Sequence, residues 1–109
     1  MTAAPLSLTA RVEQWAMDLV DALEANYDRR YPNSSDPVRF TIQAGRKYWK
    51  IIQNHGGVHA FIDKNTGEVY KPASWRAPAK HVRYDLRIIN QRQECLQRAD
   101  WAGGYLYLR

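Results

Sequence analysis

Three histidines and one cysteine are the side chains in this chain best suited to chemistry, and their spacing argues against it. His55, His59, His81 and Cys95 are a ligand set that zinc accepts. Specific zinc sites, however, present ligands as closely spaced pairs that one turn can aim at a single point. His55 falls in a glycine turn and His59 on a strand face, so no such pair is expected. Cys95 sits within a helical stretch beside apolar residues, where a thiol serves as a small buried hydrophobe. There is no glycine-rich phosphate loop, no nucleophile elbow and no acid pair at a useful spacing. The expectation is a non-enzymatic protein with no catalytic residues, no metal and no cofactor.

The cations and aromatics form a fuller pattern. Arg39, Arg46, Lys47, Lys50, Lys64, Lys71, Arg76, Lys80, Arg83 and Arg87 are interleaved with Tyr48, Trp49, Phe61, Tyr70, Trp75 and Tyr84. Lysine and arginine neutralise phosphates with release of counterions, and exposed rings stack on unpaired bases. From this set Lys47, Lys50, Lys71, Trp75, Arg76, Lys80 and Arg83 are the candidate residues for contact with nucleic acid or another partner. A plainer reading stands beside it, because strand aromatics usually build a core and outward lysines guard sheet edges. Trp75 lies on a loop between Pro72 and Pro78. It serves either as a contact residue or as a plug at the end of its own core.

Charge is unevenly spread along the chain. Over 109 residues the formal net charge is +5. Residues 1–36 carry three arginines against six acids, a net of −3, while residues 37–109 carry thirteen basic side chains against five acids, a net of +8. An acidic front and a basic remainder make a dipolar surface that steers polyanions to one side.

The elements that must position these residues follow from periodicity. Leu8, Val12, Trp15, Leu19, Leu23 and Tyr27 recur at spacings of three and four, the stripe of an amphipathic helix with Trp15 as a core anchor. Ser7 or Thr9 caps its start and Pro32 stops it. From Pro37 the period becomes two, and strands are expected over 38–42, 46–53, 58–62 and 68–71. Glycine turns separate them, including Asp63-Lys64-Asn65-Thr66-Gly67, where Gly67 takes a left-handed conformation. Ala73 to Lys80 is expected as loop or one short helical turn. A second helix is expected from about Asp85, a natural N-cap, to Arg98, and Tyr105 to Leu108 alternates like a final strand. The fold class is α+β: an N-terminal amphipathic helix on an antiparallel meander of three to four strands, then a second helix and a short C-terminal strand.

Length and composition suit one small domain spanning 1–109. No apolar run approaches the ~20 residues that cross a bilayer, so no membrane partner is expected. Met1 to Thr9 has neither a basic start nor an apolar stretch, and residence in the compartment of synthesis is expected. A lone cysteine precludes an internal disulfide and suits a reducing cytosol.

The run Thr66-Gly67-Glu68-Val69-Tyr70-Lys71-Pro72-Ala73-Ser74-Trp75-Arg76-Ala77-Pro78-Ala79-Lys80, preceded by Val58-His59-Ala60-Phe61-Ile62-Asp63, resembles a segment of small uncharacterised proteins of tailed bacteriophages. The resemblance covers about residues 46–84 and implies a phage origin and action in the host bacterial cytoplasm. It carries no activity with it. A phage accessory protein binding DNA or RNA through the basic face and the Trp75 loop is one expectation. A module that binds a host bacterial protein through Trp75, Pro72 and Pro78 is another. A third is a minor structural component, with a homodimer formed by strand pairing at Tyr105 to Arg109. A continuous basic face around Trp75 would favour the first, and an apolar patch the second.

Overall fold

The stripe at three- and four-residue spacing builds helix α1 (Leu8–Arg30). Residues 7–107 are described by the structure, a computed structural model. The Ser7 hydroxyl accepts the Ala10 N–H at 3.2 Å, satisfying one of the orphan donors of the first turn. At the other end the Tyr31 N–H bonds the Tyr27 carbonyl, and Pro32 prevents continuation. Val12, Ala16, Leu19, Leu23 and Tyr27 are buried. Leu8 is exposed, and Trp15 is half-buried on the flank of the stripe, where its ring lies 4.5 Å from the Arg92 guanidinium. Ala16, one residue on, takes the fully buried position expected for Trp15.

The sheet comprises β1 (Phe40–Ala44), β2 (Tyr48–Gln53), β3 (Val58–Asp63), β4 (Glu68–Tyr70) and β5 (Tyr84–Asp85), in sequence order and antiparallel throughout. The turn before β4 forms as its composition implies. Asp63 Oδ1 accepts the N–H groups of Asn65 and Thr66, the Gly67 N–H returns to the Asp63 carbonyl at 2.9 Å, and Gly67 has φ +78°. Direct cross-strand partners share a face. Ala44, Trp49, Ile62, Val69 and Tyr84 therefore form one inner row, with Ile42, Ile51 and Ala60 in the next; apart from the exposed Ala44 at the rim they share one core with the buried face of α1. Gln43, Lys50, Phe61 and Tyr70 form a row on the outer face.

Three expectations are corrected. The meander has five strands rather than three or four, because Tyr84 and Asp85 pair with the free edge of β4. That pairing also removes Asp85 from a capping role. Its carboxylate accepts from the Arg87 backbone and guanidinium, and α2 starts later, at Ile89–Arg98, with no side-chain hydrogen bond at its N-cap Ile88. At the C-terminal end a 3-10 turn, Gly104–Leu106, replaces the strand. Gly103, at φ +88°, turns the chain so that Leu106 drops into the core at 1% exposure, and the pairing edge expected there does not form among the described residues. Leu108 and Arg109, the rest of that expected edge, lie outside the described residues.

Between β2 and β3 the register slips. Ile51 faces Ala60 and Ile52 faces Val58, so His59 is the extra residue of a β-bulge. The bulge turns its ring inward, 5.1 Å from Phe40 in an edge contact and stacked on Tyr105.

Candidate functional site

The segment after β4 is neither open loop nor helical turn but a tight hairpin. Pro72 pairs with Pro78, the Ala79 N–H bonds the Lys71 carbonyl at 2.7 Å, and Ala73 and Ser74 both donate to the Ala77 carbonyl. At its tip the Ser74 hydroxyl accepts from the Arg76 and Ala77 N–H groups, which fixes the tip backbone locally. The hairpin carries Trp75 and Arg76 over the outer face of the sheet to β2. There the Lys50 ammonium sits 4.7 Å from the Trp75 ring centre and 5.8 Å from that of Phe61. Trp75 remains 52% exposed, so much of its ring surface is open while Lys50 contacts it.

Beneath the tip, Phe61 is 2% exposed although it points away from α1. Tyr48 meets it edge-on at 5.7 Å and Tyr70 meets Tyr48 at 6.1 Å, a small aromatic layer on the outer side of the sheet. Alongside this layer runs a groove of about 200 Å³, lined by Gln43, Gly45, Tyr48 and Phe61 together with four cations, Arg46, Lys47, Lys50 and Arg76. The β1–β2 turn supplies two of them and is held by the Gly45 N–H on the Tyr48 carbonyl and the Lys64 N–H on the Lys47 carbonyl. Among the described residues no carboxylate forms an ion pair with any of the four, whereas Arg39, Arg87 and Arg98 are paired with Asp28, Asp85 and Glu94. At the far edge of the outer face Glu68 and Asp85 lie directly opposite each other, and Arg87 takes up the Asp85 charge.

The candidate contact residues therefore separate into groups. Lys47, Lys50, Trp75 and Arg76 come together at the groove. Lys71 lies elsewhere: its ammonium is 4.8 Å from the Tyr107 ring, and it lines a second cleft at the other end of β2. Lys80 is exposed after the hairpin, and its carbonyl accepts from Arg83. The Arg83 guanidinium donates to the carbonyls of Lys80, His81 and Leu106, which ties the hairpin base to the C-terminal turn. Three of its five N–H donors are thereby used, and Nη2 keeps the other two. Arg46 belongs to the groove without having been in the candidate set, and its adjacency to Lys47 before a strand was the available signal.

The zinc-type side chains stand in unrelated places. The His55 ring approaches Asp36, His81 is exposed at φ +75°, and Cys95 is buried in α2, where burial pushes its thiol up to about 12. No described helix is long and apolar enough to cross a membrane.

No curated protein and no solved structure matches the chain. A family model does match, over residues 3–108, and the chain therefore belongs to that family of unknown function, DUF7717.

Proposed function

We propose that this protein binds single-stranded nucleic acid along the groove between the β1–β2 turn and the tip of the 71–79 hairpin. The observation that carries the reading is the gathering of four cations, none paired with a carboxylate among the described residues, around a half-exposed tryptophan. Arg46, Lys47, Lys50 and Arg76 take the backbone, each releasing counterion as it meets a phosphate. Trp75 offers a stacking surface to one unpaired base, and Lys50 is placed to follow the adjacent phosphate. The resemblance of residues 46–84 to phage proteins fits a non-enzymatic accessory role in a host bacterial cytoplasm.

Fluorescence anisotropy with labelled oligonucleotides tests this. Binding should weaken with salt, and replacing Arg46, Lys47 and Arg76 with glutamine should make the salt slope shallower by ~2–3 units, near 0.7–0.9 for each lost contact. Trp75→Ala should cost ~1–3 kcal/mol on single strands and leave the slope nearly unchanged. Absence of binding to any oligonucleotide at low salt would sink the reading and promote a host-protein partner at the same hairpin tip.

A further inference from the structure

A second site follows from the bulge at His59. The extra residue turns an imidazole into the protein beneath a cleft of about 280 Å³, whose walls include Gly57, Lys71, Trp101, Gly103 and Tyr107. It lies at the Gln53–Val58 end of β2 and β3, away from the groove at Gly45–Lys50.

The surroundings of His59 fix the position of its proton. Its Nε2 is 2.8 Å from the Tyr105 hydroxyl. Burial raises the Tyr105 phenol well above the ordinary tyrosine range, so the hydroxyl keeps its proton. Burial likewise holds His59 at about 4, so at neutral pH the ring carries a single proton. Among the described residues Nε2 is the sole hydrogen-bond partner of that hydroxyl, which is satisfied as a donor when Nε2 accepts. The imidazole proton then resides on Nδ1. A Cβ built on Gly103 would stand 4.0 Å from Nδ1 and 3.7 Å from Cε1, so this edge of the ring faces the glycine that lines the cleft. No hydrogen bond to Nδ1 is made by any described residue. The cleft thus has a neutral N–H donor at its base, one ammonium on its wall and two aromatic rings beside it; Asp100, whose carboxylate also acts on His59, does not line it.

We propose that this cleft is a binding site for a small planar monocarboxylate. One carboxylate oxygen accepts from His59 Nδ1, the charge is met by Lys71, and the planar body lies against Trp101 and Tyr107. One cation and one neutral donor suit a monoanion better than a phosphate dianion, whose second charge would lack a partner. The volume sits at the low end for ligand clefts, which fits a one-ring molecule. Lys71, stacked on Tyr107, is held at the cleft by that ring.

The test is a titration of the isotope-labelled full chain with benzoate, benzamide and benzylammonium, followed by backbone amide signals and the His59 imidazole proton. Benzoate should give saturable shifts at Gly57, Gly103 and His59, with benzamide about tenfold weaker and benzylammonium without effect. Lys71→Gln should abolish the preference for benzoate over benzamide while leaving the thermal melt within a few degrees. His59→Gln should weaken benzoate and benzamide alike. If that variant does not fold, Lys71→Gln and the direct His59 signal decide the matter. The proposal is overturned if benzoate produces no saturable shift at the cleft, if shifts occur only at Arg46, Lys47 and Arg76, or if Lys71→Gln leaves the benzoate preference intact.

Discussion

On the inner face of the sheet, Ile51, Ile62 and Val69 are fully buried under a helix of six turns. On the outer face Phe61 is nearly as buried, yet its cover is two tyrosines, a lysine stem and the tip of a hairpin. The helix is a cooperative lid whose removal exposes the whole core. Long polar side chains shield an aromatic ring while keeping their own charges in water. Burial alone therefore does not separate the two faces. What separates them is whether the covering groups are themselves free to bind something else, and only the outer ones are.

The comparison is most easily broken on the inner side. Leu19, fully buried in α1, should cost ~2–5 kcal/mol on replacement by alanine, through lost burial and the cavity left behind. A melting temperature that barely moves would show that the helix is not the main lid.

Acid should strain the same side. Burial lowers His59 from 6.5 to about 4 against the opposing charge of Asp100. Between those pH values the unfolded chain binds a proton that the folded chain refuses, so stability rises with pH across the window and is lost as pH falls through it. The loss should total roughly 3 kcal/mol by pH 4. Urea melts of wild type and His59→Gln at pH 7 and pH 4 check this, since the variant should lose less on acidification. Equal losses would remove His59 as the cause.

Gly67 lies where the sheet turns back on itself, in the β3–β4 connection. Its φ of +78° places a built Cβ 3.4 Å from Leu86 Cβ and 3.5 Å from a Val12 methyl, so Gly67→Val should destabilise by ~1–3 kcal/mol, mostly from backbone strain. Chemical denaturation measures it, and a change within ~0.5 kcal/mol would contradict the strain argument.

The smallest effects belong to the outer cations. Lys47→Gln and Arg76→Gln should each shift stability by less than ~0.5 kcal/mol, because both are exposed and unpaired with acid among the described residues. Trp75→Ala should do little more. A large fall in melting temperature for Trp75→Ala would mean that the outer face is a second core and its hairpin a cover.

Legibility in the sequence followed the range of the interactions. Helix α1 and the Asp63–Gly67 turn were readable because caps, spacing and a glycine all lie within a few residues of what they control. β5 was not, since two residues carry no period and Tyr84 and Asp85 become a strand only by pairing with β4. The same holds for the site. The mixture of cations and rings was plain in the sequence, but the separation of Lys71 from Lys47 and Lys50 depends on where the hairpin folds. Of the three carbonyls that hold Arg83, two are local, but the Leu106 one belongs to the C-terminal turn, more than twenty residues away. His59 required the bulge, an insertion visible only once two strands are set side by side.

The pairing of Pro72 with Pro78 has a thermodynamic consequence. One short stem carries Lys71 and Pro72 on the wall of the cleft and Trp75 and Arg76 at the groove. Two proline rings fix φ at both sides of the stem and backbone hydrogen bonds close it, which leaves it few soft torsions. A tilt imposed at its base would then carry to its tip. If an occupant of the cleft favours one tilt, the affinity of the groove changes by some factor, and a strand in the groove must alter the occupant's affinity by the same factor.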